Sequence, residues 1–78
     1  MFGLRIKVTC PNCNEDYTED LGCATKYYQI NGSKLQYTKC ECWLCKQPFW
    51  LSHKFENVVE VKKIKENEEL KWISTVCW

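Results

Sequence analysis

Cys10-Pro11-Asn12-Cys13 and Cys42-Trp43-Leu44-Cys45 decide how this chain of 78 residues is read. Each holds two cysteines two residues apart, a spacing that lets one tight turn point both sulfurs to the same side. Two such turns brought together supply the four thiolates of a tetrahedral shell, for which zinc is the usual occupant, with Zn–S near about 2.3 Å. The 28 residues between Cys13 and Cys42 exceed the roughly 15–20 of the commonest template, so the interval must itself fold.

Outward from the first pair, Leu4, Ile6 and Val8 alternate with Arg5 and Lys7, the period of two that predicts a strand with one buried face running into Cys10. Lys26-Tyr27-Tyr28-Gln29-Ile30 and Lys34-Leu35-Gln36-Tyr37-Thr38 are rich in β-formers and flank Asn31-Gly32, a dipeptide suited to the positive φ angles of a type I′ turn. This predicts a hairpin that carries the chain back toward its start, so that the two cysteine pairs can meet. Residues 14–25, with Gly22 and several acids, read as a connecting loop. After the second pair, Pro48-Phe49-Trp50-Leu51 predicts a short strand with Phe49 or Trp50 packed beneath the metal.

Beyond Phe55 two readings stay open. Val58, Val61 and Ile64 recur at a helical interval, which allows a helix across residues 56–70. Leu70, Trp72, Ser74, Val76 and Trp78 alternate, and Glu66-Asn67-Glu68-Glu69 would make a turn before them, which predicts a second hairpin. The fold class expected is mainly β: a small antiparallel sheet with a C-terminal hairpin. Residues 1–78 read as a single domain, with a C-terminal extension from about residue 52 to residue 78.

A core this small rarely contributes more than about 3–5 kcal/mol without a staple. Seven cysteines cannot all pair with one another, and a structural zinc contributes on the order of 10–16 kcal/mol in finger-sized peptides, so metal is the more economical staple. The first residues carry two cations, Arg5 and Lys7, and no small-residue cleavage site follows, so an export signal is not expected. A reducing cytoplasm is the expected compartment. No apolar run is long enough to cross a membrane as a helix. Eleven basic and ten acidic residues leave a formal charge of +1, which provides no global field for holding a phosphate backbone.

Cys10, Cys13, Cys42 and Cys45 are the expected ligands of one structural zinc. The run Cys40-Glu41-Cys42-Trp43-Leu44-Cys45 offers a third thiol, and Cys40 in place of Cys42 is the alternative ligand set. Cys23, Cys40 and Cys77 otherwise read as small buried hydrophobes. A second metal would require all three of them together with His53.

Val8-Thr9-Cys10-Pro11-Asn12-Cys13 and Cys42-Trp43-Leu44-Cys45-Lys46-Gln47-Pro48-Phe49 resemble the two knuckles of the zinc-ribbon superfamily, a resemblance that covers about residues 4–51. It implies two zinc knuckles on a small antiparallel sheet, with a closed, structural metal shell. Asn14 and Lys46 stand where ribbons usually carry glycine after each pair. Zinc ribbons recur in transcription factors, polymerase subunits, ribosomal proteins and small viral regulators, so the resemblance implies partners and not a reaction.

Catalysis is not expected. Four thiolates close the metal shell, and His53 is the only histidine, with no carboxylate or nucleophile placed in sequence to orient it. Neither a small-molecule substrate nor a membrane is expected. Trp43 and Leu44 fall at the tip of the second knuckle, where the turn points the side chains between the cysteines outward, and Trp78 is a further aromatic anchor; a protein partner is the first expectation. Nucleic acid is the second, with Tyr27, Tyr28 and Tyr37 for base stacking and Lys26, Lys34 and Lys39 for phosphate.

Overall fold

In the computed structural model, which describes residues 3–78, the chain is all β. Strands β1 (Leu4–Thr9) and β2 (Asp16–Leu21) form one antiparallel hairpin, in register from Leu4 opposite Leu21 to Thr9 opposite Asp16. Strands β4 (Thr38–Glu41) and β5 (Pro48–Lys54) form a second, which β6 (Asn57–Lys63) extends to three strands in the order β4-β5-β6. Strand β3 (Thr25–Ile30) pairs antiparallel with β7 (Leu70–Val76) in a third small sheet.

The core follows from side-chain alternation. Ile6 and Val8 on β1 and Tyr17 and Leu21 on β2 face Cys40, Phe49 and Leu51 of the three-stranded sheet, and buried Cys10 and Cys42 close one end of the cluster. Strand β5 is buried on both faces, as its continuous apolar run Phe49-Trp50-Leu51 requires: Phe49 and Leu51 join that cluster, while Trp50 packs with Ile30 and Tyr37. The β5 strand therefore runs through Lys54, three residues beyond the sequence reading.

Three expectations about pairing are corrected. The Asn31-Gly32 turn forms with φ of 51° and 71°, and Ser33 N–H donates to the Ile30 carbonyl at 3.0 Å. The strands on either side of it, however, meet only at Tyr28 opposite Tyr37. The main partner of β3 is β7, a ladder between segments far apart in sequence that no local pattern announces. The C-terminal segments are strands, as the hairpin reading held, and the alternative helix over 56–70 is not seen; yet β6 and β7 do not pair with each other, because β6 completes the sheet on β5. Finally, residues 16–21 are a strand and not a loop, because the first cysteine turn closes its own hairpin.

Cys23 and Cys77 are also not the buried hydrophobes expected. Both are exposed and joined in a disulfide, with ladder partners Thr25 and Val76 alongside. Cys40 is buried, as expected. This bond, the four clustered thiols and Cys40 account for all seven cysteines. Nearby, a chain of hydrogen bonds ties Trp78 to the sheets. Its indole N–H donates to the Tyr27 hydroxyl at 3.0 Å, and that hydroxyl lies 2.7 Å from His53 Nε2. His53 Nδ1 lies 2.8 Å from the Phe55 carbonyl, which can only accept, so Nδ1 carries the proton and Nε2 accepts from Tyr27.

Glu68 plays a similar part in the β6–β7 connection. It accepts from the Trp50 indole N–H at 3.2 Å and from the Lys65 backbone N–H at 2.9 Å, with Lys62 Nζ at 3.7 Å. The Lys65 N–H foremost, with Trp50 and Lys62, holds its carboxyl below the usual range. Stabilisation from this group is therefore complete above the ordinary glutamate value, about 4.3, and declines as pH falls through the lowered folded value. Replacing Glu68 by Ala is expected to reduce unfolding free energy by about 1–3 kcal/mol at neutral pH, with the difference from wild type shrinking below about pH 4; urea titrations at both pH values measure it. Removing the disulfide as Cys23→Ser with Cys77→Ser frees a loop spanning a separation of 54 residues, and a loss of up to about 4 kcal/mol is expected in the same titration.

Candidate metal centre

The two cysteine turns are the two hairpin turns. Residues 10–15 join β1 to β2, and residues 42–47 join β4 to β5. Their backbones repeat each other bond for bond. Asn14 N–H donates to the Cys10 carbonyl at 2.8 Å, and Lys46 N–H to the Cys42 carbonyl at 3.0 Å. Cys10 N–H donates to the Glu15 carbonyl at 3.0 Å, and Cys42 N–H to that of Gln47 at 3.1 Å. The Asn12 and Leu44 N–H groups point at the Cys10 and Cys42 sulfurs, at 3.3 and 3.4 Å.

Asn14 and Lys46 each sit at φ 62°. That left-handed conformation is the one glycine supplies without strain. At both positions, where the sequence resemblance implies glycine, the backbone takes the shape that glycine would favour. Asparagine tolerates it better than most residues, whereas lysine accepts it because the turn fixes its N–H.

Packing of the β1-β2 hairpin over the β4-β5 hairpin brings the turns together, and Asn12 Nδ2 donates across to the Pro48 carbonyl at 3.3 Å. The sulfurs of Cys10, Cys13, Cys42 and Cys45 all lie within 4.8 Å of one another. Cys10 to Cys45 is 3.6 Å and Cys13 to Cys42 is 3.7 Å. A tetrahedron with Zn–S of about 2.3 Å has S···S edges of about 3.8 Å, which these two separations match, while the other four stay within 4.8 Å. Four cysteines so placed could hold a metal ion, and a tetrahedral four-sulfur set is the donor pattern of zinc or iron.

The thiols are not equivalent. Against the desolvation of burial, the Cys13 and Asn12 N–H groups and the Cys45 and Cys13 thiols bring Cys10 down to about 7. For Cys13 the Glu15 N–H favours the thiolate, but desolvation and the neighbouring sulfurs outweigh it and push the group up to about 12. Cys45 is likewise raised, its Gln47 N–H bond being overcome by desolvation and by Cys10 and Cys42. A divalent cation relieves the crowding by drawing off the protons, so affinity for metal is expected to rise with pH.

Cys40 lies outside the cluster. Its thiol is buried, and desolvation, followed by the charge of Glu19, pushes it well above the ordinary thiol range. The alternative ligand set with Cys40 in place of Cys42 is therefore set aside, because alternation on β4 turns Cys40 into the core while Cys42 begins the turn. A second site from Cys23, Cys40, Cys77 and His53 is not formed either: two of these are joined as a disulfide and His53 is bonded to Tyr27.

The other candidate residues are scattered. Trp43 and Leu44 are at the knuckle tip, 57% and 59% exposed. One ring of Trp43 rests against Tyr17 at 6.0 Å. Trp78 is half-buried, packed on the core and hydrogen-bonded to Tyr27. Tyr27 and Tyr37 are buried, and Tyr37 is bonded through its hydroxyl to Glu60. Tyr28 is half-buried, while Lys26, Lys34 and Lys39 are exposed. Sequence reasoning missed the Tyr27–His53–Trp78 chain, for which β3–β7 pairing is needed, and the acid Glu19 on the inward face of β2, where a period of two through Tyr17, Glu19 and Leu21 was available as a signal.

Compared with known protein families, curated proteins and solved structures, the chain matches none of them. Its fold and site define a class by geometry alone: a small all-β module whose two hairpin turns gather four cysteines close enough to hold a metal ion. Cys42→Ser is expected to abolish stoichiometric metal binding, whereas Cys40→Ser keeps one ion per chain; elemental analysis and native mass spectrometry of both variants check the ligand set. Retention of metal by Cys42→Ser with loss by Cys40→Ser would reverse it.

Proposed function

We propose that this protein is a structural zinc module that works by docking on another protein through the tip of its second knuckle. The observation that carries the reading is the exposure of Trp43 and Leu44 on a turn whose base is the metal cluster. Zinc is the ion proposed because it takes four thiolates without redox chemistry and without a preferred geometry of its own. Four such ligands leave no open position for a substrate, so the ion's role is to hold the two hairpins together and the knuckle rigid.

A rigid apolar pair suits a protein partner. Tryptophan truncation at an interface centre can cost about 2 kcal/mol or more of binding free energy, and anchoring residues fixed before binding lose little conformational entropy. The surroundings disfavour phosphate: Glu15, Asp16 and Glu41 are exposed near the turns, and a divalent ion in four thiolates keeps a net negative charge. The nucleic-acid reading is further weakened because Tyr27 and Tyr37 are buried. Resemblance to zinc ribbons directs the proposal to a partner in the transcription or regulatory machinery, with an adaptor or a small viral inhibitor of a host enzyme as the kind of protein that fits the size.

Affinity capture from the native cell with wild type and with Trp43→Ala plus Leu44→Ala tests this. Recovery of the wild-type partner is expected to fall at least about tenfold, with metal content and thermal midpoint unchanged. Equal recovery by the double variant would remove the knuckle tip as the anchor. In parallel, no retardation of a generic oligonucleotide is expected at low ionic strength, where phosphate contacts are strongest.

A further inference from the structure

Beside the core, away from the knuckles, the sheets leave a cleft of about 610 Å³, within the roughly 300–1,000 Å³ of small-molecule sites. One wall comes from the end of β2 and Gly22, residues 19–22, on a strand that turns Tyr17, Glu19 and Leu21 to the same side. Tyr17 and Leu21 are buried in the core, so Glu19 is an acid on the inward face of a strand, half-buried and lining the cleft. The groups that bond it, the Cys40 thiol, the Asp20 backbone N–H and the Tyr17 hydroxyl, carry no positive charge.

The opposite wall comes from β3, where Lys26 and Tyr28 share a face and both line the cleft. Tyr28 meets Trp50 edge to face, with centroids 6.0 Å apart, and Trp50 also lines the space. Among the described residues, the ion pairs are Arg5 with Asp20 and Lys62 with Glu68. Neither Glu19 nor Lys26 takes part in one. The cleft thus presents an anion and a cation that form no ion pair within the chain, beside an aromatic pair, and Asp20 and Lys39 also line it.

We propose that this cleft binds a small amphiphilic zwitterion, of the class of an α-amino acid with a large apolar side chain. Its ammonium group is held by the Glu19 carboxylate, its carboxylate by Lys26, and its side chain by the Tyr28 and Trp50 rings. Charge-assisted hydrogen bonds at both ends fix the orientation, and the aromatic faces favour the ammonium as well as the apolar group. Inward placement of Glu19 is explained by this role: a strand face that otherwise carries core residues gains a desolvated carboxylate, which burial pushes above the usual carboxylate range, and which a bound cation would restore to the charged form. The site is separate from the metal cluster and from the knuckle tip, so it stands or falls independently of the docking function.

Titration of the metal-loaded, ¹⁵N-labelled protein with L-phenylalanine tests the assignment, read by amide and indole N–H chemical shifts. Saturable shifts are expected at the Trp50 indole N–H, Tyr28 and Thr38, with the knuckle resonances unmoved. N-acetyl-L-phenylalanine, which lacks the ammonium group, and L-phenylalaninamide, which lacks the carboxylate, are each expected to bind at least about tenfold more weakly. Glu19→Gln should reproduce the first loss and Lys26→Ala the second, while both variants keep the wild-type spectrum elsewhere. Lys26→Ala lies on an exposed side chain, so it keeps the test valid even if Glu19→Gln perturbs the fold. Absence of saturable shifts up to about 10 mM phenylalanine, or equal binding of the blocked probes, would overturn the proposal.

Discussion

The convergence of four sulfurs at one end of two packed hairpins is the constraint on which the rest of the structure depends. Each hairpin is small, and an isolated two-stranded hairpin is marginal in water. Here the turn of each is a cysteine knuckle, so one cluster closes both hairpins and sets their packing at once. Ile6, Val8, Tyr17 and Leu21 then meet Cys40, Phe49 and Leu51 as a core directly beneath the sulfurs. Without a cation, four thiols all within 4.8 Å of one another, two pairs of them at 3.6 and 3.7 Å, compete for protons and repel one another when ionised. Zinc, as proposed, would turn that conflict into the strongest tie in the molecule.

A second set of ties works at the other end of the chain. The β3–β7 sheet contributes no residue to the cysteine cluster, and its attachments are a disulfide, the Trp78–Tyr27–His53 hydrogen bonds and the Glu68 contacts to Trp50, Lys62 and Lys65. Trp50 links the two halves. It lies on the strand that carries the second knuckle into the core, and its other side packs with Ile30, Tyr37 and Tyr28. Division of labour follows from this layout: the knuckles offer a rigid exposed tip, whereas the space between β2 and β3 offers a cleft.

Legibility in the sequence tracked the range of the interactions. The four clustered cysteines were readable because cysteine spacing is a local property, and the Asn31-Gly32 turn because positive φ is a property of two adjacent residues. Lone residues were less transparent. Cys23 and Cys77 carry no local mark of their bond, which forms only because β3 and β7 lie side by side. Glu19 is one of several acids in a segment that reads as a loop until β2 is seen to be a strand with Tyr17 and Leu21 on its inner face.

Composition and spacing by themselves determined that the chain is mainly β, that Cys10, Cys13, Cys42 and Cys45 belong together, and that Trp43 and Leu44 sit on a turn tip. These rest on periodicity and on turn chemistry, which act over a few residues. Only the tertiary structure decided that both cysteine turns close their own hairpins, that β7 crosses back to β3 while β6 folds directly onto β5, and that Cys40 stays out of the cluster. Strand pairing is chosen by which apolar faces can be buried together, and that choice is made by the whole chain at once.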